Sequence, residues 1–280
     1  MMREQLSVQD LQNKCIDLKK KVVDMICKAG SGHPGGSLSV AEFVTACYWH
    51  EMDVDPQDPR RADRDRFVLS KGHAAPAQYA ALAIKGFFPE ELLDTLRKEG
   101  SPLQGHPSMT KCPGIDISTG SLGQGLACAV GMALAAKMDG ASWRVYCAVG
   151  DGESQEGEIW EAANTAHKYG LDNLVVFLDN NNLQIDGTCD EVMPNGDLGA
   201  KFRAFGFDVY EIDGNDMAQM VAALDLARAV KNGKPKCIVG HTVKGKGVSF
   251  MENAVGWHGV APSQAECSQA LAELDAQYVK

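Results

Sequence analysis

The sequence predicts an α/β fold: a doubly wound, mostly parallel sheet with helices on both faces. The second half of the chain alternates apolar runs of strand length with longer segments of helical periodicity. The expected strands are residues 143–149, 174–178, 207–212 and 236–243, and the helices between them lie near residues 156–169 and 217–231. Strands that are apolar along their whole length are typical of a parallel sheet buried on both faces.

The first half of the chain is less regular. Residues 8–29 place apolar side chains at helical spacing among charged ones, which predicts an amphipathic helix. The glycine-rich residues 30–36 break this pattern, and a second apolar helix is expected from about Val40. A strand at residues 66–70, helices at 76–85, 89–98 and 123–138, and loops at 53–65 and 101–117 complete the prediction.

Composition limits the class of protein. The 280 residues are 45% hydrophobic and 23% charged, without a repeat or linker, which predicts one globular domain over residues 1–280. A net charge of −10 argues against nucleic acid as a partner. No apolar stretch reaches the roughly 20 residues of a membrane span, and the polar start is unlike a signal peptide. Nine cysteines without a C-x-x-C pair predict free thiols and a cytoplasmic location.

The strongest chemical motif is Gly150-Asp151-Gly152 together with Asn181. Asp151 and Asn181 are 30 residues apart, about one strand–helix–strand unit, and each follows an expected strand. Neighbouring parallel strands would bring these side chains together beyond the carboxyl ends of the sheet, where ligands bind. Their oxygens suit Mg²⁺ or Ca²⁺, with diphosphate oxygens completing the coordination shell. A Gly-Asp-Gly without this context would be an ordinary surface turn.

Histidines form a second set of candidates. Four of the seven lie in glycine-containing loops: His33, His73, His106 and His258. Histidine can bind phosphate or transfer protons near neutral pH. One such loop histidine is as often structural, but four of them beside a metal motif favour a catalytic site. The remaining three, assigned to structure or surface, are His50, His167 and His241.

Two further segments carry weaker signals. Residues 118–125 are rich in glycine and open a helix, where backbone amides can bind an anion or a carbonyl group. Glycines at a helix start serve contacts between helices equally well. Residues 244–247, Lys-Gly-Lys-Gly, could hold a substrate phosphate, although a mobile, solvated loop is the preferred interpretation.

Taken together, these motifs resemble the amino-terminal, thiamine diphosphate-binding domain of transketolases over about residues 20–261. The matching segments are residues 31–37, 69–73, 105–107, 119–125, 150–157 and 257–259. The resemblance implies the thiamine diphosphate-binding fold. It also implies a transferase that moves a two-carbon unit from a ketose or ketose phosphate to an aldose or aldose phosphate.

The resemblance also implies roles for individual residues. The ligands of Mg²⁺, Ca²⁺ or Mn²⁺ would be Asp151, Asn181 and the carbonyl of Leu183. The diphosphate would contact His73, Gly152, Asn181 and His258, and the cofactor's rings would contact Gly120, Leu122 and Ile185. The residues that handle protons of the sugar hydroxyls would be His33, His106 and His258. The acidic residues at the subunit interface near the cofactor would be Glu156 and Glu161.

The chain departs from the family in two respects. Full transketolases are more than twice as long, and their second domain binds the aminopyrimidine ring. We therefore expect a separate carboxy-terminal subunit to supply that half, in a heterotetramer with two copies of each chain. Pro102 stands where many family members carry a basic residue, which indicates an unusual sugar substrate.

Two alternatives remain open. The chain could belong to another thiamine diphosphate enzyme, of the deoxyxylulose-phosphate or dihydroxyacetone synthase type, which would differ in its acceptor. It could also be a non-catalytic, cofactor-binding regulatory subunit. In that case, replacing His33 or His106 with alanine would leave the assembled complex fully active.

Overall fold

A five-stranded parallel sheet forms the centre of the computed structural model, which describes residues 6–279. Its strands are β1 (Arg66–Leu69), β2 (Val145–Gly150), β3 (Leu174–Asn180), β6 (Asp208–Asp213) and β7 (Lys236–His241), and a small antiparallel hairpin is formed by β4 (Leu183–Gln184) and β5 (Gly187–Thr188). The order across the sheet is β1-β2-β3-β7-β6, and each neighbouring pair is parallel. The predicted parallel sheet is therefore confirmed.

Helices cover both faces of this sheet. They are α1 (Val8–Ala29), α2 (Pro34–Ser39), α3 (Ala41–Ala46), α4 (Ala75–Lys85), α5 (Gln124–Met138), α6 (Gly157–Lys168), α7 (Cys189–Val192), α8 (Leu198–Ala204), α9 (Met217–Ala229) and α10 (Gln264–Asp275). A π-helical turn, Cys47–Glu51, extends α3, and short 3₁₀ turns occur at Gly72–Ala74, Glu90–Thr95, Glu153–Gln155 and Val255–Trp257.

The side chains of each strand alternate between two hydrophobic cores. In β3, Val175 and Phe177 enter the core formed with α1, α3, α4, α9 and α10. Val176 and Leu178 enter the opposite core, formed with α5, α6 and α8. Because successive side chains of a strand point to opposite faces, both cores form on one sheet, as in a doubly wound fold.

Local sequence explains the bounds of α1. The Ser7 hydroxyl accepts a hydrogen bond from the Asp10 amide at 3.1 Å, and the Asp10 carboxylate accepts from the Ser7 amide, so the first turn has a complete capping box. Gly30 ends the helix in the left-handed region, at φ +62°. The prediction of a helix at residues 8–29 is confirmed.

The helix expected from about Val40 is α3, which begins at Ala41. Two other details of the helix prediction were wrong. The glycine-rich segment, expected only as a break, contains the short helix α2. Gly35 and Gly36 serve close contacts: a Cβ added at Gly35 would lie 2.9 Å from the Trp257 carbonyl oxygen, and one at Gly36 would lie 3.4 Å from His73 Nε2. The helix expected at residues 89–98 is only the 3₁₀ turn Glu90–Thr95.

All nine cysteines are free thiols, and Cys128 is the exposed one. Along residues 6–279, every helix is too short or too polar to cross a lipid bilayer.

Candidate active site

A cavity of about 390 Å³ lies beyond the carboxyl ends of β1, β2 and β3. Its wall contains these residues of the predicted site: His33, His73, His106, Gly120, Leu122, Asp151, Gly152, Glu156, Asn181, Leu183, Ile185 and His258. Glu161 is exposed on α6 and is not part of the wall. His50, His167 and His241 also lie elsewhere.

The segments that follow β2 and β3 bring three oxygen-bearing groups to this cavity. They are the Asp151 carboxylate, the Asn181 side-chain amide and the Leu183 carbonyl. Gly150 pairs with Asp179 in the sheet, so Asp151 follows β2 directly beside the end of β3. The Asp151 carboxylate accepts hydrogen bonds from the Gly152 amide at 2.7 Å and from the Asn182 amide at 2.5 Å. Asn182 has φ +59°, which asparagine tolerates better than most residues, and this turn leads into Leu183.

Burial of Asp151 changes its protonation. Burial, and next the charge of Asp179, raise the pKa of Asp151 to about 6, although the two amide hydrogen bonds oppose this change. A buried carboxylate with a raised pKa is stabilised in its ionised form by a nearby cation. The environment of Asp151 therefore favours a cation at this end of the cavity.

Asp179, near the end of β3, is fully buried. Its carboxylate accepts hydrogen bonds from the Ser39 hydroxyl at 2.6 Å, from the Asn181 amide nitrogen at 3.3 Å, and from Thr242 and Lys71. Burial alone would raise the pKa of Asp179, but the charge of Lys71 and the hydrogen bonds from Lys71, Ser39 and Thr242 together hold that pKa below its ordinary value. The ionised Asp179 thus accepts from the Asn181 NH₂ group. The side-chain carbonyl oxygen of Asn181 is therefore the atom that does not face Asp179.

Lys244 corrects the interpretation of residues 244–247 as a solvated loop. Its side chain is buried and lines the cavity, and Nζ donates to the Leu183 carbonyl at 2.7 Å and contacts His258 Nδ1 at 2.8 Å. The loop is held against α2 because the Gly245 amide donates to the Gly35 carbonyl at 3.1 Å. Burial, and next the charge of Lys71, lower the pKa of Lys244 to about 8.

Three histidines from three separate loops meet at the cavity. The ring centroids are 5.2 Å apart for His33 and His73, 5.3 Å for His73 and His258, and 5.7 Å for His33 and His258. Burial is the main reason that the pKa of His33 and of His258 falls to about 4 and that of His73 lies well below its ordinary value. These rings are therefore neutral at pH 7.

His106, the fourth histidine of the cavity, lies against Gly120 of the glycine-rich residues 118–125. A Cβ added at Gly120 would lie 3.0 Å from the His106 ring, so glycine permits this contact. Burial, and next the charge of Arg97, lower the pKa of His106. Both His106 and Gly120 line the cavity.

The glycine-rich residues 118–125 also allow close packing between α5 and β1. A Cβ added at Gly125 would lie 2.5 Å from the Ser70 Cα, so α5 approaches the end of β1 more closely than a side chain allows. The Glu153 carboxylate accepts from the amides of Gly123 and Gly150, both at 2.9 Å, and joins this run to the end of β2.

Two cations of the wall, Lys71 and Lys244, were not among the predicted site residues: Lys71 was given no role, and residues 244–247 were interpreted as a solvated loop. Lys71 could have been found, because it follows β1 within the Lys71-Gly72-His73 motif, at the same edge of the sheet as Asp151. Lys244 carried only the weak signal of the Lys-Gly-Lys-Gly run, which was set aside because short runs of charge are usually solvated.

Comparison with known proteins identifies the family. The family described as transketolase, thiamine diphosphate binding domain, matches residues 12–277. The chain belongs to the transketolase family. The 6-deoxy-6-sulfo-D-fructose transketolase subunit SqwG of Clostridium sp. (strain MSTE9) is 47% identical over 266 residues, which cover 95% of this chain and 96% of that protein.

Two further similar transketolases differ from each other in length. An apulose-4-phosphate transketolase subunit from Phocaeicola vulgatus is 43% identical, and the alignment covers 100% of this chain and 97% of that protein. The crystal structure of transketolase from Campylobacter jejuni superimposes with a TM-score of 0.90 at 34% identity, covering 96% of this chain but 43% of that one. The chain thus spans nearly all of the two shorter relatives and less than half of the longer enzyme.

Proposed function

We propose that this chain is the amino-terminal, diphosphate-binding subunit of a thiamine diphosphate-dependent transketolase. The observation that carries the proposal is the convergence of oxygen donors, buried lysines and neutral histidines in one cavity at the carboxyl ends of β1, β2 and β3. Two relatives of matching length are named as transketolase subunits, which supports the proposal that this chain is also one subunit of a transketolase.

The metal-binding end of the cavity fits a divalent cation by the chemistry of its donors. The Asp151 carboxylate, the Asn181 amide oxygen and the Leu183 carbonyl are hard oxygen ligands of the kind that Mg²⁺, Ca²⁺ and Mn²⁺ prefer. In our proposal these three groups hold the metal. The raised pKa of Asp151 supports this role, because a cation would stabilise the ionised carboxylate.

The same end of the cavity fits a diphosphate. Lys71 and Lys244 are buried in the wall. Since Lys71 is paired with Asp179, the positive charge that would offset the phosphates is mainly that of Lys244. We propose that Lys244 contacts the diphosphate, together with the predicted residues His73, Gly152, Asn181 and His258. A Cβ added at Gly152 would lie 3.3 Å from the Gln184 side chain, so this position is narrow and suits glycine.

Two apolar residues of the cavity wall are exposed. Leu122 is 37% exposed and Ile185 is 67% exposed, although both are large hydrophobic residues. In our proposal Gly120, Leu122 and Ile185 contact the rings of the cofactor. A second chain covers these exposed side chains with the pyrimidine-binding half, next to Glu156 and Glu161, in a heterotetramer of two copies of each chain.

The protein's share of the reaction is positioning and proton transfer. When bound, thiamine diphosphate supplies the nucleophilic carbon and the electron sink for cleaving a carbon–carbon bond. His258 has its Nδ1 beside the Lys244 ammonium, which can only donate, so its remaining proton lies on Nε2. We propose that His33, His106 and His258, as neutral rings, donate to sugar oxygens and accept protons from sugar hydroxyls.

The names of the relatives bear on the substrate. One relative is named for a sulfo-sugar and the other for a sugar phosphate, and each of these sugars carries an anionic group. We propose that the donor here is likewise a ketose with an anionic substituent, from which a two-carbon unit passes to an aldose acceptor in the cytoplasm.

The test is reconstitution with candidate carboxy-terminal chains. We expect two-carbon transfer from a ketose phosphate or ketose sulfonate by the mixture and none by either chain alone. In the mixture, His106→Ala should lower kcat/KM by about 10²-fold or more, while His50→Ala, outside the cavity, should not. Full activity with His33→Ala and with His106→Ala would instead support a regulatory role.

A further inference from the structure

Arg97 is exposed and lies beside the histidines of the cavity rather than in its wall. It adopts φ +60°, a backbone conformation that residues other than glycine rarely take, and its amide donates to the Leu103 carbonyl at 2.8 Å. Such a conformation persists where the surroundings require it, often at functional sites. Within residues 6–279, Arg97 forms no ion pair with a carboxylate, so its charge is not neutralised there.

The guanidinium of Arg97 joins the loop that carries His33 to the loop that carries His106. Nη1 donates to the Ser31 hydroxyl at 2.7 Å, and Nη2 lies 3.5 Å from His33 Nδ1. The same group lies against Gly105, where an added Cβ would come within 3.0 Å of Nη2. A side chain at position 105 would therefore crowd the guanidinium in its observed position beside Gly105.

The chemistry of arginine fixes the role of each nitrogen in His33. A guanidinium has donors and no acceptor, so a neutral His33 facing it has its lone pair on Nδ1 and its hydrogen on Nε2. The Nε2 edge faces the Trp257–Gly259 segment, because a Cβ added at Gly259 would lie 3.4 Å from His33 Nε2. His258 of that segment lines the cavity together with His33.

We infer that Arg97 is a positioning residue that holds His33 as a neutral ring with its Nε2–H donor directed towards the cavity. The inference rests on the proposed function, in which this donor meets a sugar oxygen. The groups around His33 agree with it: Arg97, His106 and Lys244 are basic, and the remaining ring neighbours are His73 and His258. Burial, and next the charge of Arg97, disfavour the imidazolium form and lower the pKa of His33 to about 4.

The first test uses the single chain and requires no activity. Nitrogen-15 NMR of the histidine rings reports which nitrogen carries hydrogen and the pKa of each ring. We expect the wild-type His33 to carry its hydrogen on Nε2. In Arg97→Gln its pKa should rise by about one unit and the two neutral tautomers should mix, since a charge at this distance shifts a pKa by about that much.

Two controls make this test specific. Lys98→Gln removes a neighbouring exposed charge and should leave His33 unchanged. Arg97→Lys should keep the pKa of His33 near its wild-type value but should not keep the single tautomer. Lysine retains the positive charge but lacks the rigid, planar set of donors of the guanidinium. Hydrogen on Nδ1 in the wild-type protein, or a His33 unaffected by Arg97→Gln, would overturn the inference whether or not the chain is a transketolase.

The second test uses the reconstituted complex. We expect Arg97→Gln to lower kcat about tenfold with little change in KM or in metal-dependent binding of thiamine diphosphate. The acid limb of its kcat profile should move about one unit towards higher pH. A purely structural role for Arg97 would instead weaken cofactor binding and leave the pH profile in place. A wild-type complex without activity would overturn the proposed function, and the NMR result would still decide the role of Arg97.

Discussion

His33 illustrates how single residues couple the cavity to pH. Its pKa is about 4 in the folded chain because of burial, against an ordinary value near 6.5. Between these values the unfolded chain binds more protons than the folded chain. The free energy of unfolding should therefore fall as the pH is lowered from about 6.5 towards 4. His258, whose pKa is also about 4, adds to the same effect.

Urea denaturation at pH 7 and pH 5 measures this effect. We expect the wild-type chain to lose stability between these values and His33→Gln to lose less. His50→Gln, which removes a histidine outside the cavity, serves as the control and should lose as much as the wild type. An equal loss in His33→Gln would contradict the low pKa assigned to His33.

Lys244 and Lys246 offer a matched pair for testing the diphosphate site. Lys244 is buried in the cavity wall, whereas the Lys246 side chain is 38% exposed and pairs with Glu252. Lys244→Met should weaken binding of thiamine diphosphate with Mg²⁺ by tenfold or more, because a charged donor to the phosphates is lost. Lys246→Met should leave it nearly unchanged. Calorimetric titration decides, and similar losses in both variants would show that the charge acts only at long range.

The sequence revealed some of these residues and concealed others for a physical reason. Asp151 and Asn181 could be placed together because both follow apolar strands at a spacing set by one strand–helix–strand unit. The burial of Lys244 depends on the contact between Gly245 and Gly35, which are distant in sequence. No local pattern contains that contact, so the lysine resembled an ordinary solvated charge. The roles of the cavity residues remain predictions.

At the level of elements, α5 provides a sharp test of close contact between helix and sheet. Gly125 and Gly131 lie in the same helix, but an added Cβ would clash with Ser70 only at Gly125 and meets nothing within 4 Å at Gly131. Gly125→Ala should cost about 1–3 kcal/mol of unfolding free energy through overpacking. Gly131→Ala should stabilise the chain by about 0.5–1 kcal/mol, since alanine favours the helix. Urea denaturation measures both, and equal effects would contradict the close approach of α5 to β1.

Asp179 connects the ends of several elements. It follows the apolar part of β3 and binds Ser39 of α2, Thr242 after β7, and Lys71 after β1. Asp179→Ala would leave Lys71 buried without its carboxylate and should cost about 3–5 kcal/mol. The double variant Lys71→Met with Asp179→Leu should be markedly more stable than Asp179→Ala in urea. A double variant as unstable as the single one would show that the pair is not coupled.

The order of elements was less predictable than their existence. Apolar runs predicted the strands β2, β3 and β7, because a buried strand must be apolar on both faces. The edge strand β6 was also predicted, although it is partly exposed and carries three acidic residues. The order of the strands was not predictable from these runs, since β7 lies between β3 and β6 although it follows both in the chain. The short helix α2 was missed because Gly35 and Gly36 suggest a break, whereas contacts with Trp257 and His73 require glycine there.

At the scale of the whole molecule, the wall of the cavity is partly buried and partly exposed. Asp151, Lys71 and Lys244 are buried, whereas the large apolar side chains of Leu122 and Ile185 are exposed. The chain also covers less than half of the Campylobacter jejuni transketolase with which it superimposes. Both observations fit our proposal that a second chain completes the site.

Calorimetric titration of the purified chain with thiamine diphosphate tests the central claim most directly. The account predicts binding that requires Mg²⁺, is abolished in Asp151→Ala, and is unchanged in Asp139→Ala, an exposed control at the end of α5. A candidate partner chain should tighten this binding. Binding that is equally strong without metal or with Asp151→Ala would contradict the account.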